Sequence, residues 1–214
     1  MKVIIFDFDG TLVDSFEIII KITESLVKHQ VVINQEELDR LRRMRLLDVI
    51  SELNIPKYKW PFLLYRGRKA MNKELPKLKL FEGIKEALMT LNNDNAELMI
   101  ISSNSKKNIQ QFLELHQLAE YFKGVYGGVG LFSKVKILKK AINKNKLTLN
   151  NVIYIGDEPR DIEAAHKAGI KAIAVSWGFN DRSVLAEHNP YKIVDTRDEL
   201  VFELKQWINF SEIG

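Results

Sequence analysis

Apolar residues recur along this 214-residue chain in two rhythms. Short apolar runs, Val3 to Phe8, Leu98 to Ile101, Val152 to Ile155, Ala172 to Val175 and Ile193-Val194, alternate with longer stretches whose apolar positions fall three and four apart. An uninterrupted short run marks a strand buried on both faces, and strands alternating with amphipathic helices predict an α/β fold built on a parallel sheet with helices on either side. In such a sheet the ligand crevice lies beyond the carboxyl ends of the strands. Asp7, Ser102 to Asn104 and Asp157 all fall there.

Between Ser15 and about Leu80 the rhythm changes, because no strand pattern appears and helical stretches follow one another. Asn34 with Glu37 predicts a capping box, Pro56, Pro61 and Pro76 punctuate the rest, and the stretch Pro76 to Gly83 leads back to the helical spacing of Ile84 to Leu91. Residues 15–80 therefore read as a small all-helical body inserted after the first strand, with 1–14 and 81–214 forming the core. Apolar residues between Leu38 and Leu53 would surround a single helix, which predicts a break near Met44 to Leu46. Such a break would put Arg43 or Arg45 in a loop facing the carboxyl edge of the sheet, suited to an anionic group. Trp60, Phe62 and Tyr65 are read as the core of the insertion.

Composition narrows the partners. The formal net charge of +4 and the pI near 9.1 come from lysines spread along helical stretches, a solvated face that attracts small anions and does not argue for nucleic acid. The chain has no cysteine, which removes disulfides and thiolate metal sites. Met1-Lys2 and the short apolar run ending at Asp7 are too brief for a signal peptide, and no stretch is long enough to span a bilayer, so a cytoplasmic location with no membrane partner is expected. Oligomeric state leaves no mark on the sequence.

The chemistry gathers at the first strand's end, where Asp7 and Asp9 occupy alternate positions of a strand and so share a face, with Gly10 turning the backbone away. An EF-hand loop counted from Asp7 would need a carboxylate at its twelfth position, which is Ile18. Gly156-Asp157-Glu158-Pro159-Arg160-Asp161 follows another strand and opens a helix on which Asp161 shares the inward stripe with Ala164, Ala165 and Ala168. Glu163 and Lys167 lie outside that stripe, four apart, and can pair. Asp7, Asp9, Asp157 and Asp161 on one sheet edge need a hard cation, for which Mg2+ is the natural choice. Lys134 lies one turn ahead of Ile137, Leu138, Ala141 and Ile142 on the buried stripe of its helix, whereas Lys136, Lys139, Lys140 and Lys144 do not.

Over nearly its whole length the chain resembles the haloacid dehalogenase-like hydrolases, in particular their phosphoglycolate phosphatase-like branch with a small helical cap. Asp7 to Ser15 matches the first family motif, Ser103-Asn104 the second, Lys134 the third with Val135 in place of the frequent proline, and Gly156-Asp157 with Asp161 the fourth. The resemblance implies a Rossmann-like core, the all-α cap as an insertion, and hydrolysis of a small phosphorylated metabolite with Mg2+. It implies Asp7 as nucleophile, Asp9 as acid and then base, and a metal site from Asp7, the Asp9 carbonyl, Asp157 and Asp161. Ser103, Asn104 and Lys134 would bind phosphate; Ser103 is preferred to Ser102 on family register. A phosphomutase on the same site and a non-catalytic binding module of the same fold are the alternatives. Asp9 argues against the module, since binding alone has no need of it, and against halide displacement, which needs no acid.

Overall fold

The computed structural model describes residues 1–27, 35–44, 48, 57–94, 96–128, 130 and 133–210. Its centre is a six-stranded sheet in the order β5-β4-β1-β6-β7-β8, every neighbouring pair parallel. The strands are β1 Val3–Phe6, β4 Glu97–Ile101, β5 Phe122–Tyr126, β6 Val152–Gly156, β7 Lys171–Val175 and β8 Lys192–Val194. All four residues of β1 are buried, and alternation sends them to two cores. Ile4 and Phe6 join Leu88, Phe112 and Leu204 on one face, while Val3 and Ile5 join Leu138, Ala165 and Leu185 on the other. This is the α/β sheet with helices on both sides that the apolar runs predict.

Five of the six strands coincide with those runs. The sixth, β5, is an edge strand in which Lys123 and Gly124 interrupt the apolar residues, so its sequence carries no buried-strand signature.

After β1 the chain turns and forms a two-stranded antiparallel ribbon, β2 Val13–Asp14 with β3 Lys79–Leu80, in which Val13 faces Leu80 and Asp14 faces Lys79. Between the two ribbon strands lie the helices α1 Phe16–Val27, α2 Gln35–Arg42 and α3 Trp60–Glu74, of which α1 and α3 pack together. The remaining helices are α4 Ile84–Asn93, α5 Lys106–Leu115, α6 Lys134–Lys144, α7 Pro159–Ala168, α8 Arg182–Ala186 and α9 Arg197–Asn209. No helix among the described residues is long and apolar enough to cross a membrane.

The inserted helices depart from expectation in two places. Helix α2 ends at Arg42, where Arg43 N–H donates to Arg40 O at 3.0 Å and Met44 N–H to Leu41 O at 3.1 Å, so the expected break begins earlier in the chain. Arg45, Leu46 and the capping-box residue Asn34 lie outside the described residues. Phe62 and Tyr65 are 59% and 64% exposed and are not core. Phe62 stands half a turn of the helical wheel from Met71, which α3 buries, so the apolar count of this helix overstated its buried face. The side chain of Trp60 lies outside the description.

Candidate active site

Pairing of β1 stops at Phe6, and Asp7 is the first residue past the ladder, its N–H donating to Ile155 O at 2.8 Å. A tight turn follows. Leu12 and Val13 both donate to Phe8 O, at 3.0 and 3.1 Å, and Gly10 N–H returns to Val13 O at 2.9 Å. Gly10 sits at φ +75°, and a Cβ there would collide with the Asp157 carboxylate. The turn, and not strand alternation, sets Asp9 beside Asp7. Both are buried; Phe8 N–H donates to Asp7 Oδ1 at 2.7 Å.

Strand β6 ends in Gly156 and delivers Asp157, after which α7 opens with Pro159 in its first turn. The Asp161 carboxylate accepts the N–H groups of Asp157 and Glu158 through Oδ2, at 3.2 and 3.1 Å, satisfying donors at the helix start. Asp161 shares its buried stripe with Ala164, Ala165 and Ala168, while half-buried Glu163 and exposed Lys167 pair loosely at 3.7 Å. Lys134, first residue of α6 and 4% exposed, donates Nζ to Asp7 Oδ2 at 2.7 Å and also to Asp161 Oδ1.

The carboxylates tell against one another. Burial, and then the charge of Asp7, push Asp9 up to about 6. Burial raises Asp161 as well, the Lys134 ammonium pulls it back, Asp7 raises it again, and it settles at about 6. Asp157 is pushed well up by burial and by Glu158, Asp161 and Asp7. Burial alone would lower Lys134, but Asp161 and Asp7 more than offset it and hold the ammonium above its ordinary range.

Asp7, Glu158 and Asp161, all buried, offer carboxylate oxygens within 4.8 Å of one another. An oxygen-only donor set, with Asp7, Asp9, Asp157, Glu158 and Asp161 set against Lys134 and Arg160, fits a hard divalent cation. Glu158 was not among the residues assigned from sequence. It caps α7 and accepts from Arg160 Nε at 2.9 Å, and its signal is the position just ahead of a first-turn proline, three residues before Asp161. The Asp157 carboxylate lies outside that group, because Oδ1 accepts from the Thr11 hydroxyl at 2.7 Å and Oδ2 from Phe179 N–H at 2.8 Å.

At the end of β4, Ser102 is sealed from solvent and its Oγ accepts from Asn104 N–H at 3.2 Å, while Ser103 keeps partial exposure. Asn104 Nδ2 donates to Asp9 Oδ2 at 2.9 Å, and Asn108 Nδ2 orients Asn104 through its Oδ1 at 3.0 Å. The other oxygen of Asp9, Oδ1, is buried and has no hydrogen-bond partner among the described residues.

From the insertion, Arg43 has a side chain 72% exposed that lies 3.7 Å from Asp181, in the loop after β7. Its neighbour Arg42 donates to Gly178 O in the same loop at 2.5 Å and stacks 4.4 Å from the Phe16 ring, and Arg68 of α3 donates to Ser103 O at 2.9 Å. Periodicity fixes a helix end only to within a turn, too coarse to separate Arg42 from Arg43.

Comparison with known proteins gives the family and the fold. Residues 4–175 match the family model described as haloacid dehalogenase-like hydrolase. The chain is 34% identical, over 96% of its length and 98% of the relative's, to a phosphoglycolate phosphatase of Synechococcus elongatus. A crystal structure titled as a predicted phosphatase from Clostridium acetobutylicum superposes with a TM-score of 0.84 at 25% identity, covering 96% of this chain and 98% of that one. A haloacid dehalogenase-like protein from Streptococcus pneumoniae, 22% identical over 95% of this chain and 98% of its own, shares the fold with a TM-score of 0.78. By the extent of the family match, and with Asp7, Lys134 and Asp161 meeting at one sheet edge, the chain belongs to the haloacid dehalogenase-like hydrolases.

Proposed function

We propose that the chain is a Mg2+-dependent phosphatase that hydrolyses a small phosphorylated metabolite of the phosphoglycolate type through an aspartyl-phosphate. The observation that carries this reading is Asp9, which is buried beside Asp7, pushed up to about 6, held at Oδ2 by Asn104 and without a partner at Oδ1. A carboxyl so placed can carry a proton near neutral pH and offer it to a leaving oxygen. The name of the Synechococcus elongatus relative supports the substrate class.

In the first step an Asp7 oxygen bonds to phosphorus as the bond to the leaving oxygen breaks, and the Asp9 proton passes to that oxygen. In the second, water attacks the same phosphorus, Asp9 takes its proton, and the bond to Asp7 breaks to release inorganic phosphate. Lys134 orients Asp7 and supplies positive charge; Ser103 and Asn104 supply donors for the phosphate. Asp7 and Asp161, with Glu158 or Asp157, are the residues that would hold Mg2+, which when bound neutralises charge on the transferred group. The helices inserted between residues 15 and 80 form the cap that excludes water. A panel of phosphorylated metabolites assayed with and without Mg2+ tests the reading. Turnover of small anionic monoesters only with metal is expected, and no turnover of any of them would refute it.

Two further results are expected. Asp9→Asn should still be phosphorylated by an ester with a very good leaving group, which needs no proton, yet break down slowly because water still needs a base. Stopped-flow assays should show a burst; its absence would mean that Asp9 does not divide its work in this way.

The second concerns metal-free stability. A carboxyl raised on folding contributes stability that is present below its unfolded value of 3.8 and lost as pH rises through its folded value of about 6, as for Asp9 and Asp161. Between about pH 5.5 and about pH 7.5 the loss is on the order of 1 kcal/mol for each such group. The thermal midpoint without metal should therefore fall over that range, and added Mg2+ should raise it more at the upper pH. A Mg2+ shift independent of pH would show that the cation does not neutralise this cluster.

A further inference from the structure

The loop Trp177 to Asp181, which follows β7, touches both the carboxylate edge and the insertion. On one side Phe179 N–H donates to Asp157 Oδ2 at 2.8 Å, and Asn180 N–H to Asp157 O at 3.3 Å. On the other, the Asn180 side chain donates Nδ2 to Arg42 O at 3.0 Å and to Met44 O at 2.8 Å, and Asp181 N–H donates to Arg42 O at 3.2 Å. Arg42 answers by donating to Gly178 O at 2.5 Å, and the rings of Phe16 and Phe179 meet at 5.5 Å.

Asn180 is only 3% exposed, an unusual place for an amide unless its donors are used. Both partners of Nδ2 are carbonyl oxygens, so the amide can satisfy them in one orientation alone. Those carbonyls lie at the end of α2, where helix geometry leaves acceptors without intrahelical donors. One core side chain thus closes a helix end that belongs to the insertion. The loop has no slack on its other side, because a Cβ at Gly178 would collide with both Asp157 and the Gly10 carbonyl.

We propose that Asn180 is a positioning residue that fastens the helical insertion over the carboxylate edge and, through the same loop, ties that closure to the placement of the Asp157 carboxylate. Closing the insertion draws Gly178 to Asp181 against Arg42, which holds the Phe179 N–H where it fixes Asp157 Oδ2. Anything that moves Asp157, cation binding included, then biases closure, and the bias is reciprocal. This inference uses the proposed metal site but not the proposed substrate.

The test is hydrogen exchange of the full chain, with and without Mg2+, together with calorimetric Mg2+ titration of Asn180→Ala and of Asn180→Asp. The aspartate keeps the side-chain size but offers acceptors to carbonyls. Losing two hydrogen bonds should speed exchange across residues 36–44 by about 10-fold or more in both variants, with β1 and β6 still protected. In the wild type Mg2+ should alter exchange of 36–44; in the variants that response should vanish and Mg2+ affinity should change several-fold. Unchanged exchange at 36–44 would overturn the latch. A variant response to Mg2+ equal to that of the wild type, or no response in the wild type, would overturn the coupling. If both variants lost protection in β1 as fully as in 36–44, Asn180 would be a residue of general stability and the proposal would fail. A wild-type exchange response to Mg2+ without hydrolysis of any phosphomonoester would refute the phosphatase reading alone.

Discussion

Asp7→Asn is expected to lower kcat for an aryl phosphate at least ~100-fold, about 3 kcal/mol in barrier, while the protein stays folded. An amide nitrogen or oxygen at this position is too poor a nucleophile to form the bond to phosphorus. The volume is unchanged, so Phe8 N–H keeps an oxygen acceptor at its 2.7 Å site and Lys134 keeps Asp161 as partner. Initial rates measured beside thermal unfolding separate chemistry from folding. Residual activity above about one per cent of wild type would place the nucleophile elsewhere.

The second large effect is expected at Lys134, where one ammonium serves two carboxylates in a site closed to water. Removing one partner of a buried ion pair leaves uncompensated charge and typically costs about 3–5 kcal/mol. Lys134→Ala should therefore lower metal-free stability by about that amount in urea titrations and lower kcat on the order of 100-fold through the lost positive charge. Mg2+ should stabilise this variant more than the wild type, because cation and ammonium neutralise overlapping carboxylates. Equal Mg2+ shifts in both proteins would show that the two charges act on separate groups. Arginine should not rescue activity, since its planar fork does not fit the place of a compact ammonium.

What the sequence disclosed follows from what each region had to satisfy. Strands β1, β4, β6 and β7 were legible because nearly all their residues are buried, and β8, an edge strand, by its adjacent Ile193 and Val194; β5, the other edge strand, is broken by Lys123 and Gly124 and carries no such run. Lys134 could be separated from its neighbours because the buried stripe of α6 is regular, and it is buried as that stripe predicts. The grouping of Asp7 with Asp9 was legible while its cause was not, since a turn closed by hydrogen bonds to Phe8 O leaves no periodic trace. Phe62 and Tyr65 show the converse, because aromatic content suggests a core but only tertiary placement decides which face of a helix is covered. Arg42 depended on where α2 stops, and Glu158 on which carboxylates converge in space.

The ribbon of β2 and β3 carries a consequence of another kind. Val13 and Leu80, separated by α1, α2 and α3, sit opposite each other, so the inserted body enters and leaves the core through one doorway. Because the two strands are paired to each other, with Val13 opposite Leu80 and Asp14 opposite Lys79, both ends of the body are held in one register. The doorway also makes the body exchangeable. Any segment whose ends meet at strand spacing can be grafted there without disturbing the parallel sheet. The inserted body can thus change in one place while Asp7, Lys134 and Asp161 stay together at the sheet edge.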